Sequence, residues 1–166
     1  MSPYLVVPFL VAAAVFQATI MPHLAIWGVF AELPLLLVAG WGLLQGPREG
    51  LIWGFIAGVA LDILSGAPFG AATLSLMAAG LLSGLGKNSV FATHLVYTVA
   101  VALLATILYN LVFLLIVWIS GYSTVWLDSL FRIILPTALL NALWMPFIYG
   151  GMRILYRRFG TEAMEW

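Results

Sequence analysis

Acid–base, metal or ionic chemistry in this chain has twelve charged side chains and two histidines to draw on. There is no Cys, which excludes thiolate nucleophiles, disulfides, iron–sulfur clusters and Cys-ligated zinc. The histidines cannot share an ion. His23 falls in the first outward connection and His94 near the inner end of the fifth apolar segment, with about 30 Å of hydrocarbon between them. Each reads more simply as a hydrogen-bonding residue at an interface. The sequence contains no His-Glu-x-x-His, no Gly-x-Ser-x-Gly and no phosphate loop. No catalytic residue, cofactor or metal is therefore assigned.

The third apolar segment is the most informative. Gly50, Gly54, Gly58 and Asp62 recur every four residues. Each step of four turns about 40° round a helix, so they form one slanting stripe where a second helix can approach closely. The fourth segment carries a matching row, Ala71, Ser75, Ala79 and Ser83. The two are expected to pack as a tight hairpin, and an outside helix is the other occupant the stripe could serve. Asp62 lies about 14 positions, or about 21 Å of helix rise, beyond Arg48. A carboxylate there either caps the turn that follows or anchors an outer-face contact. Arg132 follows Asp128 by four residues, the favourable order for a helical ion pair. Gln17, Asn110 and Asn141 are the clearest buried polar side chains, suited to hydrogen bonds between helices or to a polar cavity.

The elements that position these groups follow from composition. Of 166 residues, 64% are hydrophobic and 7% charged, whereas a soluble domain of this length would carry about 40 charges. Six membrane spans of about 20 residues would use about 120 positions. Punctuation by Pro22, Pro34, Gly46-Pro47, Gly66-Ala67-Pro68, Gly86-Lys87-Asn88 and Ser120-Gly121 separates spans near 4–21, 32–44, 48–64, 69–85, 92–119 and 126–156, in one integral domain over 1–166. The first lacks a basic flank and a cleavage site, so it is expected to be retained, with the chain beginning at Met1. Pro136 and Pro146 should bend the sixth. This count puts Arg48, Lys87, Arg153, Arg157 and Arg158, five of six basic residues, on one side with both termini. Positive loops mark the cytoplasm, so both ends are expected inside. Glu32, Asp62, Asp128 and Arg132 then lie toward the outside. Trp27, Trp118, Tyr122 and Trp126 suit the outer interface and Tyr156 and Trp166 the inner one, leaving Trp41, Trp53 and Trp144 for packing. The formal net charge is zero, so no basic stripe exists to bind nucleic acid. The fold class is an all-α polytopic membrane protein.

Glu32-Leu33-Pro34 opening a helix, Gly46-Pro47-Arg48 with Gly50, and Gly54-Phe55-Ile56-Ala57-Gly58 followed by Asp62-Ile63-Leu64-Ser65-Gly66-Ala67-Pro68-Phe69-Gly70 resemble the MreD family of rod shape-determining proteins. The resemblance covers the whole chain in length and span number, and its specific part is 32–70. It implies a non-catalytic scaffold in the bacterial inner membrane, within the machinery that builds lateral cell wall. The implied partners are an MreC-like single-span protein, the RodA glycosyltransferase with its penicillin-binding transpeptidase, and the actin-like MreB, besides the lipid bilayer. The implied arrangement is that of the six-helix substrate-binding subunits of energy-coupling-factor transporters. Residues for partner binding or helix packing are Arg48, Gly50, Gly54, Gly58, Asp62, Gly66 and Gly70. The rival reading is a substrate-binding subunit of a vitamin or small-solute transporter. Ala14 and Ala18, four apart in the first helix, suit docking of a coupling protein. That reading needs Gln17, Asn110 and Asn141 to converge on a cavity.

Overall fold

A computed structural model describes residues 3–25, 27–91 and 94–159. Met1, Ala92 and Trp166, which the sequence sets at the chain start, a span start and the inner interface, lie outside the described residues. Among those described there are six long helices: α1 (Pro3–Thr19), α2 (Leu33–Gln45), α3 (Pro47–Ser65), α4 (Ala71–Leu85), α5 (Leu95–Ile119) and α6. In α6 a turn at Trp126–Ser129 passes through a π-helical segment, Leu130–Ile134, into Leu135–Phe159. Helix bounds fall within about three residues of the apolar segments read from the sequence.

Proline explains several of these boundaries. Pro34 and Pro47 sit in the first turns of α2 and α3, where a missing N–H costs no intrahelical bond. Pro136 cannot bond the Arg132 carbonyl. The helix answers by widening just before it, the Leu135 N–H donating to the Leu130 carbonyl five residues back. Pro146 is carried inside α6.

The helices alternate in direction. Lys87 Nζ donates to the Gln45 carbonyl at 2.8 Å, and Trp41 of α2 meets Tyr156 of α6 edge to face at 5.9 Å. The α2–α3 turn, the α4–α5 turn and the last turns of α6 therefore share one end, which carries Arg48, Lys87, Arg153, Arg157 and Arg158. The far end gathers the close of α1, the start of α2 and the α3–α4 connection.

The interior is apolar, built around Leu10, Leu35, Leu36, Trp41, Trp53, Leu76 and Met145. Trp41 and Trp53 stack at 4.5 Å, as packing residues should. Trp144 does not join them: it is 49% exposed on the outward row of α6 with Leu143 and Phe147. Tyr156 is half-buried against Trp41 rather than standing free at an interface. Large apolar side chains such as Leu5, Phe9, Phe55, Leu104, Leu139 and Phe147 are exposed, an outer surface suited to lipid. Leu95–Ile119 and Trp126–Arg158 are long and apolar enough to cross a membrane.

Candidate functional site

The glycine stripe of α3 is covered by α4. A β-carbon added to Gly54 would come within 2.6 Å of the Leu76 carbonyl oxygen, and one on Gly58 within 2.8 Å of the Thr73 nitrogen. Gly50 faces the backbone of Gly80, and Gly84 faces Pro47. Gly42 of α2 joins the same contact, its added carbon meeting the Gly80 oxygen at 2.8 Å. The row of α4 against α3 is thus Thr73, Leu76–Met77, Gly80 and Gly84, set mostly one residue along from the expected Ala71, Ser75, Ala79 and Ser83. Those four are fully buried as well, and Ser83 turns toward Gly42 of α2. Two neighbouring rows of small residues let α4 serve two helices. Ser75 and Ser83 return their hydroxyls to their own helix, to Ala71 and Ala79 carbonyls at 2.6 and 2.8 Å, and so bury almost as apolar groups.

Asp62 stands where this hairpin turns. It is 4% exposed. Its Oδ1 accepts from the Ala72 N–H at 2.9 Å, and its Oδ2 from the Gly70 N–H at 2.9 Å, the Thr73 N–H at 3.1 Å and the Thr73 hydroxyl at 2.5 Å. The carboxylate therefore closes the N-terminus of α4, at the positive end of the helix dipole. A bilayer offers no water to do this instead. Of the two readings of Asp62, capping engages both of its oxygens. Gly66 and Gly70 take left-handed backbone, φ 65° and 98°, with open space where a side chain would go, so they shape the connection that brings α4 under the carboxylate. Arg48 is exposed at the basic end.

The N-terminus of α2 is capped from other helices. The Leu33 N–H donates to Gln17 Oε1 of α1 at 3.0 Å, and the Glu32 N–H donates to Asn141 Oδ1 of α6 at 2.9 Å. Asn141, with no exposed surface, also donates through Nδ2 to Glu32 Oε2 at 3.2 Å and to the Thr106 hydroxyl of α5 at 3.1 Å. Asn110 Nδ2 donates to the Thr106 carbonyl at 2.9 Å. Gln17, Asn110 and Asn141 therefore gather about the start of α2, where Asn141 bonds Glu32, Gln17 bonds Leu33 beside it, and Asn110 and Asn141 both bond Thr106. Sequence reasoning set Glu32 among the outer acids without a role. The available signal was its place just before Pro34, where a helix begins with unsatisfied N–H groups.

Beside this cluster lies a cavity of about 400 Å³, with Gln17, Phe30, Glu32, Tyr109, Asn110 and Phe113 in its wall. Glu32 makes no ion pair with any described lysine or arginine, and Arg132 pairs with Asp128 at 2.7 Å on the exposed start of α6. His23 bonds the Thr19 carbonyl at 2.9 Å and His94 begins α5 at the opposite end. Among the described residues no three His, Cys, Asp or Glu side chains gather to hold a metal.

The family described as rod shape-determining protein MreD matches residues 1–159. Comparison with curated proteins and with solved structures finds no match. The matched stretch contains all six helices, the α3–α4 hairpin and the capped far end, and the chain belongs to the MreD family of rod shape-determining membrane proteins.

Proposed function

We propose that the protein is a non-catalytic, multi-pass scaffold of the bacterial inner membrane, six spans with both termini cytoplasmic, that holds an MreC-like partner for lateral cell-wall synthesis. The observation that carries this reading is the family match over residues 1–159. RodA with its penicillin-binding transpeptidase, and MreB, are the further proposed members of the assembly. The five basic side chains on one end support that end as the cytoplasmic one. The helix arrangement proposed is that of energy-coupling-factor substrate-binding subunits.

The stripe of Gly50, Gly54 and Gly58 lies under α4, so a partner helix depends on it through the shape of the α3–α4 hairpin rather than by touching it. Asp62, Gly66 and Gly70 act in the same way, by fixing the connection at the far end, and Arg48 by orienting the hairpin in the bilayer. Contact with the partner falls to the outward row of α3, including Ile52, Phe55 and Ile63, which is exposed.

The test is to tag the chain, extract it from its native membrane in mild detergent and identify what co-purifies by mass spectrometry. An MreC-like protein with cell-wall synthases is the expected result. A coupling membrane protein with paired ATPases would overturn it in favour of a solute-transporter subunit. That second reading is kept because Gln17 and Asn110 do meet at a cavity.

A further inference from the structure

We propose that the far-end cavity binds an organic cation, a primary ammonium on an apolar body, with Glu32 as its counter-ion. Two buried or half-buried carboxylates face the interior at this end, and they differ in one respect. Asp62 is saturated by four donors on both oxygens. Glu32 is steadied by side-chain amides, Asn141 on Oε2 among them, and stands in a cavity wall with no described cation beside it. A carboxylate withdrawn from water is costly unless hydrogen bonds, a proton or a positive charge compensate it, and a cation seated beside it does so most strongly. None of the described side chains supplies that positive charge, and the cavity leaves room for one to arrive.

The rest of the wall selects the kind of cation. Phe30, Tyr109 and Phe113 line the same cavity as Glu32, and aromatic rings attract ammonium groups. Leu35, Leu61, Leu64 and Leu76 complete an apolar lining, which suits a hydrocarbon body and not a hydrated metal ion that needs six or more oxygens. At the ~30 Å³ that a water occupies in the liquid, the volume accommodates on the order of a dozen non-hydrogen groups. The ammonium could belong to a soluble amine or to an ethanolamine lipid headgroup, and the chemistry at Glu32 is the same for both.

The experiment is calorimetric titration of the purified full chain in a maltoside detergent with phenethylammonium and with phenethyl alcohol, its neutral analogue. Saturable binding of the ammonium at least ~10-fold tighter than the alcohol is expected. Glu32→Gln, which keeps an oxygen for Asn141, should erase that difference while its melting profile stays cooperative. Should Glu32→Gln not fold, Leu61→Trp fills the cavity without altering the carboxylate and must remove binding. Short-chain phosphatidylethanolamine that competes with phenethylammonium, where phosphatidylglycerol does not, assigns the site to a lipid headgroup. Ammonium binding without phosphatidylethanolamine binding assigns it to a soluble amine. Equal affinity for ammonium and alcohol, full affinity in Glu32→Gln, or no binding of phenethylammonium would overturn the proposal. No partner protein enters the titration, so its failure leaves the scaffold reading untouched.

Discussion

Between α3 and α4 the contacts run backbone against backbone through Gly50, Gly54, Gly58 and Gly80, whereas at the far-end half of α5 the side chains of Tyr109, Asn110 and Phe113 line a cavity. Both regions hold polar groups inside the bundle, and they satisfy them differently. The hairpin excludes space: glycines bring the two backbones into contact, and the buried carboxylate, Asp62, is used by the N-terminus of α4. The cavity side keeps polar groups in a shared network in which Asn141 makes three hydrogen bonds, two to Glu32 and one to Thr106. Close packing gives a rigid wall, and the network gives a wall with a usable surface. A scaffold needs the first; the second is where this chain has capacity for something more.

The largest expected effect comes from breaking the wall. Gly50→Leu drives a side chain into the Gly80 backbone, which has no rotamer to yield, so the cost should reach or pass the ~3 kcal/mol upper end of ordinary overpacking. The expected outcome is loss of the monodisperse peak in size-exclusion chromatography, without loss of the chain from the membrane fraction. A normal peak would mean that α4 can move away from α3, and the contrast between the two regions would dissolve.

Asp62→Ala comes next. It strips an acceptor from three backbone N–H groups and a hydroxyl, at about 3 kcal/mol for the charged bonds lost. Asp62→Asn keeps one acceptor oxygen and should cost less. The order of melting temperatures, wild type above Asn above Ala, checks this; equal losses in both variants would point to charge at the surface instead of capping. On the cavity side, Asn141→Leu and Gln17→Leu uncap α2 and should lower stability by about 1–2 kcal/mol each, as lost helix caps do. Because Asn141 also steadies Glu32 and Thr106, its variant should be the worse of the two in the same melts.

These two regions were unequally legible in the sequence. The hairpin could be read because glycines at a spacing of four lie on one helix face whatever the partner. On α4 the sequence points one residue away from the row that meets α3, since Ala, Ser and Gly crowd two adjacent rows there and composition does not say which row faces which helix. The cavity was harder. Gln17, Asn110 and Asn141 are single polar residues on three helices, and their meeting depends on helix rotation, which hydropathy leaves free. Pro34 marks the start of α2 and so a place with unsatisfied N–H groups, but which side chains from other helices reach Glu32 there is set by the fold. Trp144 was misplaced for the same reason: depth along a span is visible in a sequence, but inward or outward orientation is not.

A smaller effect of opposite sign sharpens the reading of glycine. Gly150 lies in α6 with nothing within 4 Å of where its β-carbon would stand. Gly150→Ala should therefore stabilise the chain by about 0.5–1 kcal/mol through helix propensity alone, whereas Gly54→Ala, aimed at the Leu76 carbonyl, should destabilise it. Melting the two side by side separates glycines that admit a neighbour from those that merely occupy a helix; shifts of the same sign would remove that distinction.

The smallest change belongs to Arg132 and Asp128. Their 2.7 Å contact has nearly ideal spacing, yet the side chains are 79% and 55% exposed. An exposed pair four residues apart in a helix contributes about 0.3–0.5 kcal/mol and is weakened by salt. Arg132→Gln should therefore shift the melting temperature by less than any variant above, and added salt should shrink that shift further. The pair stands on the widened turn before Pro136, where the Arg132 carbonyl has already lost its usual donor, so the local helix does not depend on it. A shift as large as that of Gln17→Leu would instead mean that this ion pair is drawn into the membrane interface and carries load, and the far end would then have three polar anchors in place of two.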